Sequence, residues 1–283
     1  MSNGVITICL NKEMYYHWSE ILFKSILIHT NMDFALVYDN EEWFKKYNLD
    51  KLVKYPIYKT DIKNPYLFKY ELINYSPFNN TIFFDADTII FEDITPLFNE
   101  QCVSICSEWN GEWIFNKFSF IDNPNEIVKK NKLNKLYSAY SGYLRFKKTD
   151  FYKELFKKVL NQTDWDSNLV KKYGRNIMPD EYYLNLTISN YNFKEFIPIQ
   201  IYFMGNIISD NMIGYSWQGQ LNNTIPTQIL KKIKNILNIL KIDLQIDNPR
   251  PLPFGFVLRC SSKLLKFMNR LSNLSGGIPQ PKS

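Results

Sequence analysis

The chain has little of what thiolate metal sites and disulfide scaffolds are built from. Its 283 residues include four cysteines, Cys9, Cys102, Cys106 and Cys260, with no CxxC pair among them, and two histidines, His17 and His29. A zinc site of the usual Cys/His kind is not supported, and neither is a disulfide framework. No run of about 18 apolar residues exists, and no apolar stretch follows a basic N-terminal segment. The expectation is therefore an intracellular, reduced protein without a spanning helix or signal peptide. Internal repeats are also absent.

Hydrophobic residues are plentiful at 45 %, which allows a sizeable core and argues against a disordered chain. The length admits one large domain or two small ones. Positive charge is unevenly placed. From residue 231 onward ten Lys or Arg face only Asp243 and Asp247, a balance of +8 within an overall +6. Whatever meets an anionic partner by charge alone lies at the C-terminus.

The stretch 81–93, TIFFDADTIIFED, organises the rest. Thr81, Ile82, Phe83 and Phe84 form an apolar run without polar alternation, the mark of a strand covered on both faces. It ends in two carboxylates, Asp85 and Asp87, separated by the small Ala86. Carboxylates are costly to bury without a partner. Two of them two residues apart can approach one divalent cation, and hard oxygen ligands suit Mn2+ or Mg2+. The bland reading is a polar turn between two strands.

Upstream, residues 5–10 read as a strand and 14–29 as a helix with Leu22, Phe23, Ile26 and Leu27 on its buried side. Residues 34–38 form a second strand, 41–47 a short helix, 52–58 a third strand, and 65–75 a helix opened by Pro65. Three strand–helix units before the acidic strand predict a mostly parallel, helix-flanked α/β sheet. Downstream, strands are expected at 102–106, 140–146 and 193–203, and helices at 150–160 and 179–186. Residues 107–135 and 204–226 read as irregular. Ile229, Leu230, Ile233, Ile236, Leu237 and Leu240 then fall on one helical side, and a second basic helix covers 261–271. The expected division is a catalytic domain over 1–225, with a nucleotide-binding half to about residue 100 and an acceptor-side half to 225, followed by a basic helical extension over 226–283.

The pieces ITICLNKEMYYHW, LFKYEL, FFDADT, YSGYLRF and PDEYYLN, in this order, resemble the nucleotide-sugar glycosyltransferases of the GT-A fold, in the glycogenin and galactosyltransferase group (family 8). The resemblance covers residues 3–205. It implies a Rossmann-like GT-A sheet, a divalent metal, and a nucleotide-sugar donor, UDP-linked as the first expectation. It implies that Asp85 and Asp87 ligate the metal and Ala86 lies against the ribose. Thr7, Cys9 and Leu10 match the first-strand end near base and ribose. Tyr15 or Tyr16 matches the aromatic that stacks on the base. Lys69 matches the basic residue that reaches the donor's phosphates, against the bland reading of a solvated helix lysine. Ser141 and Gly142 match the segment under the donor sugar, where glycine permits close approach. Asp180 and Glu181 match the acids that hydrogen-bond the sugar or the acceptor hydroxyl, Asp180 ahead of Glu181. Acids at a helix start are also favoured by the dipole alone.

One departure stands out. The group's late histidine, third metal ligand and phosphate clamp, has no equivalent, since neither His17 nor His29 can serve. In the comparable stretch, 205–219, Asp210 is the one acid available as third ligand. The resemblance implies transfer of a sugar to a hydroxyl on a glycan, protein or lipid-linked acceptor, with a retaining or an inverting outcome both open. Trp109, Trp113 and Trp165 are candidates for acceptor stacking or for packing. The basic extension can dock on the catalytic domain or lie on an anionic membrane, making peripheral attachment on a cytoplasmic face a further expectation; nucleic acid ranks last. Two rival functions remain. A sugar-phosphate nucleotidyltransferase would want a glycine-rich basic loop after the first strand, where this chain has CLNKEMYYHW. A non-catalytic glycan-binding protein would not need DAD.

Overall fold

The computed structural model describes residues 2–99, 103–108, 124–134, 136–161, 180–191, 213–216 and 227–242. The chain divides into two compact units, Met1–Gln245 and Ile246–Ser283. The second unit lies outside the described residues, as do the expected strand at 193–203 and the basic helix at 261–271.

The first unit is built on a five-stranded sheet of order β3-β2-β1-β4-β8. Its strands are β1 (Asn3–Cys9), β2 (Asp33–Tyr38), β3 (Tyr55–Tyr58), β4 (Asn80–Phe84) and β8 (Tyr143–Lys147). The β1–β2, β1–β4 and β2–β3 pairs are parallel and β4–β8 is antiparallel. This is the mostly parallel, helix-flanked α/β sheet expected from the sequence. All five residues of β4 are buried, as its unbroken apolar run requires. Helix α1 (Glu13–Leu27) covers the sheet with Ile21, Leu22, Phe23 and Ile26, each fully buried, whereas Leu27 is exposed, contrary to expectation.

The chain runs β1, β2, β3 outward in one direction, then returns to place β4 on the other side of β1. Connections at the carboxyl ends of β1 and β4 therefore leave in opposite directions and open a crevice between them. β4 ends at Phe84, so Asp85 stands at this topological switch point. β5 (Thr88–Ile90) follows and is tied to α1 by the Ile90 amide donating to Ser25 Oγ at 3.0 Å.

Several expected elements differ: the strand expected at 102–106 lies at Ile105–Glu108, and the stretch 107–135, read as irregular, contains a helix at Pro124–Lys130. Residues 52–58 are not one strand: α2 (Glu41–Lys46) is followed by a helical turn, α3 (Leu49–Leu52), entered through left-handed Asn48, and only Tyr55–Tyr58 pairs. β3 is an edge strand, where Pro56 is tolerated because its missing donor faces outward. Residues 65–75 form two short helices, α4 (Pro65–Phe68) and α5 (Leu72–Tyr75). Phe68, Lys69 and Tyr70 at the junction are all buried. Residues 140–146 are split by a turn at Ser141–Gly142. β7 (Tyr137–Tyr140) pairs with β6 (Ile105–Glu108), while β8 pairs with β4. The irregular stretch 204–226 contains β9 (Gly214–Ser216), antiparallel to β5.

Helix α6 (Pro124–Lys130) precedes β7, and α7 (Asp150–Leu160) follows β8. Helix α8 (Asp180–Tyr191) starts where expected and runs five residues further. It is buried on most sides. Its Asn185 Oδ1 accepts from the Ala139 amide at 2.6 Å, and Ser189 Oγ accepts from the Tyr137 amide at 2.9 Å. Helix α9 (Thr227–Leu240), which opens the basic extension of the sequence reading, packs Ile229, Ile233, Ile236 and Leu237 into the main core. Among the described residues no helix is long and apolar enough to cross a membrane.

Ile233 is 1 % exposed and Ile239 is 54 % exposed on the same helix. Ile233→Ala is expected to lower the unfolding free energy by about 2–4 kcal/mol, and Ile239→Ala by no more than about 0.5 kcal/mol, measured by urea denaturation. A chain cut at Pro226 loses the whole apolar face of α9 and should melt below one cut after Gln245.

Candidate active site

Lys69 lies in the turn between α4 and α5 and points inward. Its Nζ is 2.9 Å from Asp180 Oδ2 and 3.4 Å from Asp85 Oδ1, and it donates to Ser141 O at 3.3 Å and Ser141 Oγ at 3.4 Å. The lysine side chain is 6 % exposed, Asp180 9 %, and Asp85 37 %. Lys69 and Asp180 form a buried ion pair. Tyr70, fully buried, donates to the Asp180 carbonyl at 3.2 Å and fixes the first turn of α8. The neighbouring Glu181 accepts a long hydrogen bond of 3.5 Å from the Ser141 amide. Lys69, Asp85, Ser141, Gly142, Asp180 and Glu181, spread through the sequence, are thus one cluster at the carboxyl end of β4.

The turn after β7 is shaped by this cluster. The Asp85 amide donates to Gly142 O at 2.9 Å. A Cβ on Gly142 would fall on the Tyr140 phenol and 2.7 Å from Asp85 Oδ2. What approaches this glycine so closely is the protein's own aspartate and tyrosine. Ala86 is buried, and Asp87 is part-exposed and engaged with its surroundings.

On the β1 side the expected residues divide into buried and accessible ones. Thr7 is buried and donates from Oγ1 to Phe84 O at 2.7 Å, tying β1 to the end of β4. Cys9 is buried with its sulfur 2.8 Å from Ser19 Oγ, and burial pushes its thiol well above the usual range. Leu10 is core. Tyr16 is fully buried; its phenol donates to Asp39 Oδ1 at 2.7 Å and accepts from the Asp39 and Asn40 amides. Asp39 Oδ2 accepts from the amide of Asn11, a left-handed residue with φ 66°. This knot, which sequence reasoning missed, sets the loop leaving β1. A signal existed: FALVYD, like TIFFD, is an apolar strand ending in an acid. Tyr15 is the accessible member of the tyrosine pair, half-buried with its ring 5.6 Å from Trp18. Burial first, then Tyr66, Asp87 and Asp85, push its phenol up to about 12.

Three buried or part-buried acids surround one ammonium, and their titration reflects it. Burial alone would lower Lys69, but Asp180 and Asp85 outweigh it and hold the ammonium above its ordinary range. Burial, against the pull of Lys69, raises Asp85. Glu181 is pushed up to about 8, by burial first and by Asp180 second, so it keeps its proton at neutral pH. Asp210, Trp109, Trp113 and Trp165 lie outside the described residues. Among the described residues no three His, Cys, Asp or Glu side chains gather as a metal set.

No protein-family model matches the chain, and no curated protein does. Solved structures do. Mouse xyloside xylosyltransferase 1 matches over 80 % of this chain and 100 % of its own length, with TM-score 0.50 and 11 % identity. An active-site variant of LgtC, a galactosyltransferase, matches over 83 % of this chain and 95 % of its own, with TM-score 0.50 and 11 % identity. The fold is that of the GT-A glycosyltransferases. GlyE, a glycosyltransferase of Streptococcus pneumoniae TIGR4, is 16 % identical with TM-score 0.40 over 66 % of this chain, which spans 43 % of GlyE. At these identities the likeness concerns the fold. In this GT-A fold the acid cluster sits at the β1–β4 switch point, where open α/β sheets bind ligands.

Lys69→Met should cost about 3–5 kcal/mol at pH 7.5, the loss expected when a buried charge is left unpaired. Much of this should return at pH 5, where the stranded acids take up protons. For Glu181 the folded value near 8 exceeds the ordinary 4.5. Between those two values the unfolded chain has released the proton and the folded chain has not. Stability from this group therefore falls as pH rises from about 5 to 8. Glu181→Gln should flatten that part of the curve, read from thermal unfolding across the interval.

Proposed function

We propose that the chain is a divalent-cation-dependent glycosyltransferase that moves a sugar from a nucleoside-diphosphate donor, UDP-linked, to a hydroxyl on a sugar-bearing acceptor. The observation that carries this reading is the cluster of Lys69, Asp85, Asp180 and Glu181 at the carboxyl ends of β1 and β4 in a GT-A fold. The solved proteins of this fold are named as glycosyltransferases, which supports the same reading.

The donor set fits a hard cation shared with a ligand. Mg2+ commonly takes one or two carboxylates from the protein and the remaining oxygens from substrate phosphates and water. Asp85 and Asp87 supply two carboxylates at a strand end, both part-exposed. A cation held there supplies neutralisation of the diphosphate, which makes it a better leaving group.

The chain's own residues do the rest. Lys69 offsets the negative charge of Asp85 and Asp180 and holds them at a set separation, so the acids are oriented before a ligand arrives. Gly142 leaves the space that Asp85 Oδ2 occupies. Glu181, protonated near neutrality, can donate one hydrogen bond and accept another. With Asp180 committed to Lys69, Glu181 is the better placed acid for contact with donor sugar or acceptor, reversing the order read from sequence. Tyr15 supplies an accessible ring on the base side, whereas Tyr16 shapes the loop.

The test is donor hydrolysis with Mn2+, using UDP-, GDP- and dTDP-sugars. UDP release is expected, and Asp87→Asn should lower it by about 100-fold, the scale of several kcal/mol of lost charge stabilisation, with the melting temperature kept. Absence of release from every donor, together with no nucleotide-dependent rise in melting temperature, overturns the assignment.

A further inference from the structure

Strand β7 pairs with β6 along one edge, and among the described residues no strand lies along the other. Buried backbone amides are costly to leave without partners. Here helix α8 supplies the partners from its side chains. The Tyr137 amide donates to Ser189 Oγ at 2.9 Å, the Ala139 amide to Asn185 Oδ1 at 2.6 Å, and the Ser141 amide to Glu181 Oε1 at 3.5 Å. Ser189 Oγ in turn donates to the Asn185 carbonyl at 2.6 Å. Asn185 and Ser189 are both buried.

The spacing of these bonds is regular. Amides two residues apart on an extended chain point to the same edge, and side chains four apart on a helix share one face. Residues 137, 139 and 141 meet residues 189, 185 and 181 in that order, so helix and strand run antiparallel and form a ladder. Four helical residues rise about 6.0 Å and two strand residues about 6.6 to 6.8 Å, so the steps slip by less than about 1 Å per rung. The rungs at Ser189 and Asn185 are short, and the one at Glu181 is long. Glu181 is the rung that belongs to the acid cluster. Asn185, one turn behind it, is the last firm hold of α8 on β7.

We propose that Asn185 is a positioning residue: by keying α8 to β7 it sets where the Glu181 carboxyl stands against the Ser141–Gly142 turn, and so where that acid meets the donor sugar or the acceptor. The proposal rests on the transferase reading of this site and deepens it. Asn185 acts through Glu181 and not on the substrate. Asp85 and Asp87, the proposed hold on the diphosphate, stand at the end of β4, outside the ladder. Loss of the Asn185 rung therefore affects turnover and leaves donor binding in place.

The experiment pairs steady-state donor hydrolysis by the full chain, with Mn2+ and the nucleotide-sugar that the parent hydrolyses, with amide hydrogen exchange read by NMR. Asn185→Ala should lower kcat by about 10- to 100-fold, the scale of a catalytic group misplaced by about 1 Å. KM should stay within about threefold of the parent. Exchange at the Ala139 and Ser141 amides should quicken by about 3- to 10-fold, the loss of one hydrogen bond. Asn185→Leu, which keeps the bulk and lacks the acceptor, is the second variant should alanine fail to fold, and the same results are expected of it. Ile233→Ala, destabilised elsewhere in the core, should keep its kcat and so separates positioning from a general loss of stability. Unchanged kcat in the Asn185 variants overturns the proposal, as does unchanged exchange at Ser141 or an equal fall of kcat in Ile233→Ala. If the parent releases no nucleotide from any donor, the transferase reading itself fails and the positioning role falls with it. A parent that turns over beside Asn185 variants that do so equally well sinks the positioning role alone.

Discussion

One buried ammonium joins four separate parts of the chain. Lys69 comes from a helix-to-helix turn, Asp85 from the end of β4, Ser141 from a turn between two sheets, and Asp180 from the start of α8. Taking these charges from water is expensive, and the cluster is tolerable only because each acid shares the same cation. Three acids to one lysine still leaves a deficit of positive charge, and the protein meets it by leaving Glu181 protonated and Asp85 raised. A cation bound beside Asp85 and Asp87, as the proposed function has it, would relieve the same deficit.

The sheet order gives that cluster its location. Because β1 is flanked by β2 on one side and β4 on the other, the loops leaving β1 and β4 part at the same edge. Thr7 bonds across to Phe84 and closes the floor of the crevice. Tyr16, Asp39 and Asn11 lock the loop that leaves β1, and this lock turns Tyr16 inward and leaves its neighbour Tyr15 accessible. Two adjacent tyrosines thereby acquire different work, one in the frame and one at the mouth.

Much of this was legible in the residues. The unbroken apolar run before Asp85 announced a doubly covered strand, and strand β4 is buried throughout. The parallel arrangement followed from repeated strand–helix units. Other features were hidden by local ambiguity. The run 65–75 has helical composition, and nothing within it marks that Lys69 and Tyr70 both turn inward; they do so toward Asp180, far away in sequence. The run 140–146 reads as one strand because both halves are apolar, yet its halves serve different sheets. Asp39 passed unnoticed because its partners lie on another strand's loop.

From its residues alone the chain determined where apolar runs begin and end, hence the α/β class, the buried acidic strand and the helix starts, since these depend on contacts between near neighbours. The tertiary structure decided which acids share Lys69, which tyrosine stays open, and that Gly142 makes room for Asp85. These depend on which strand lies beside which, and desolvated charges find their partners only once that order is set.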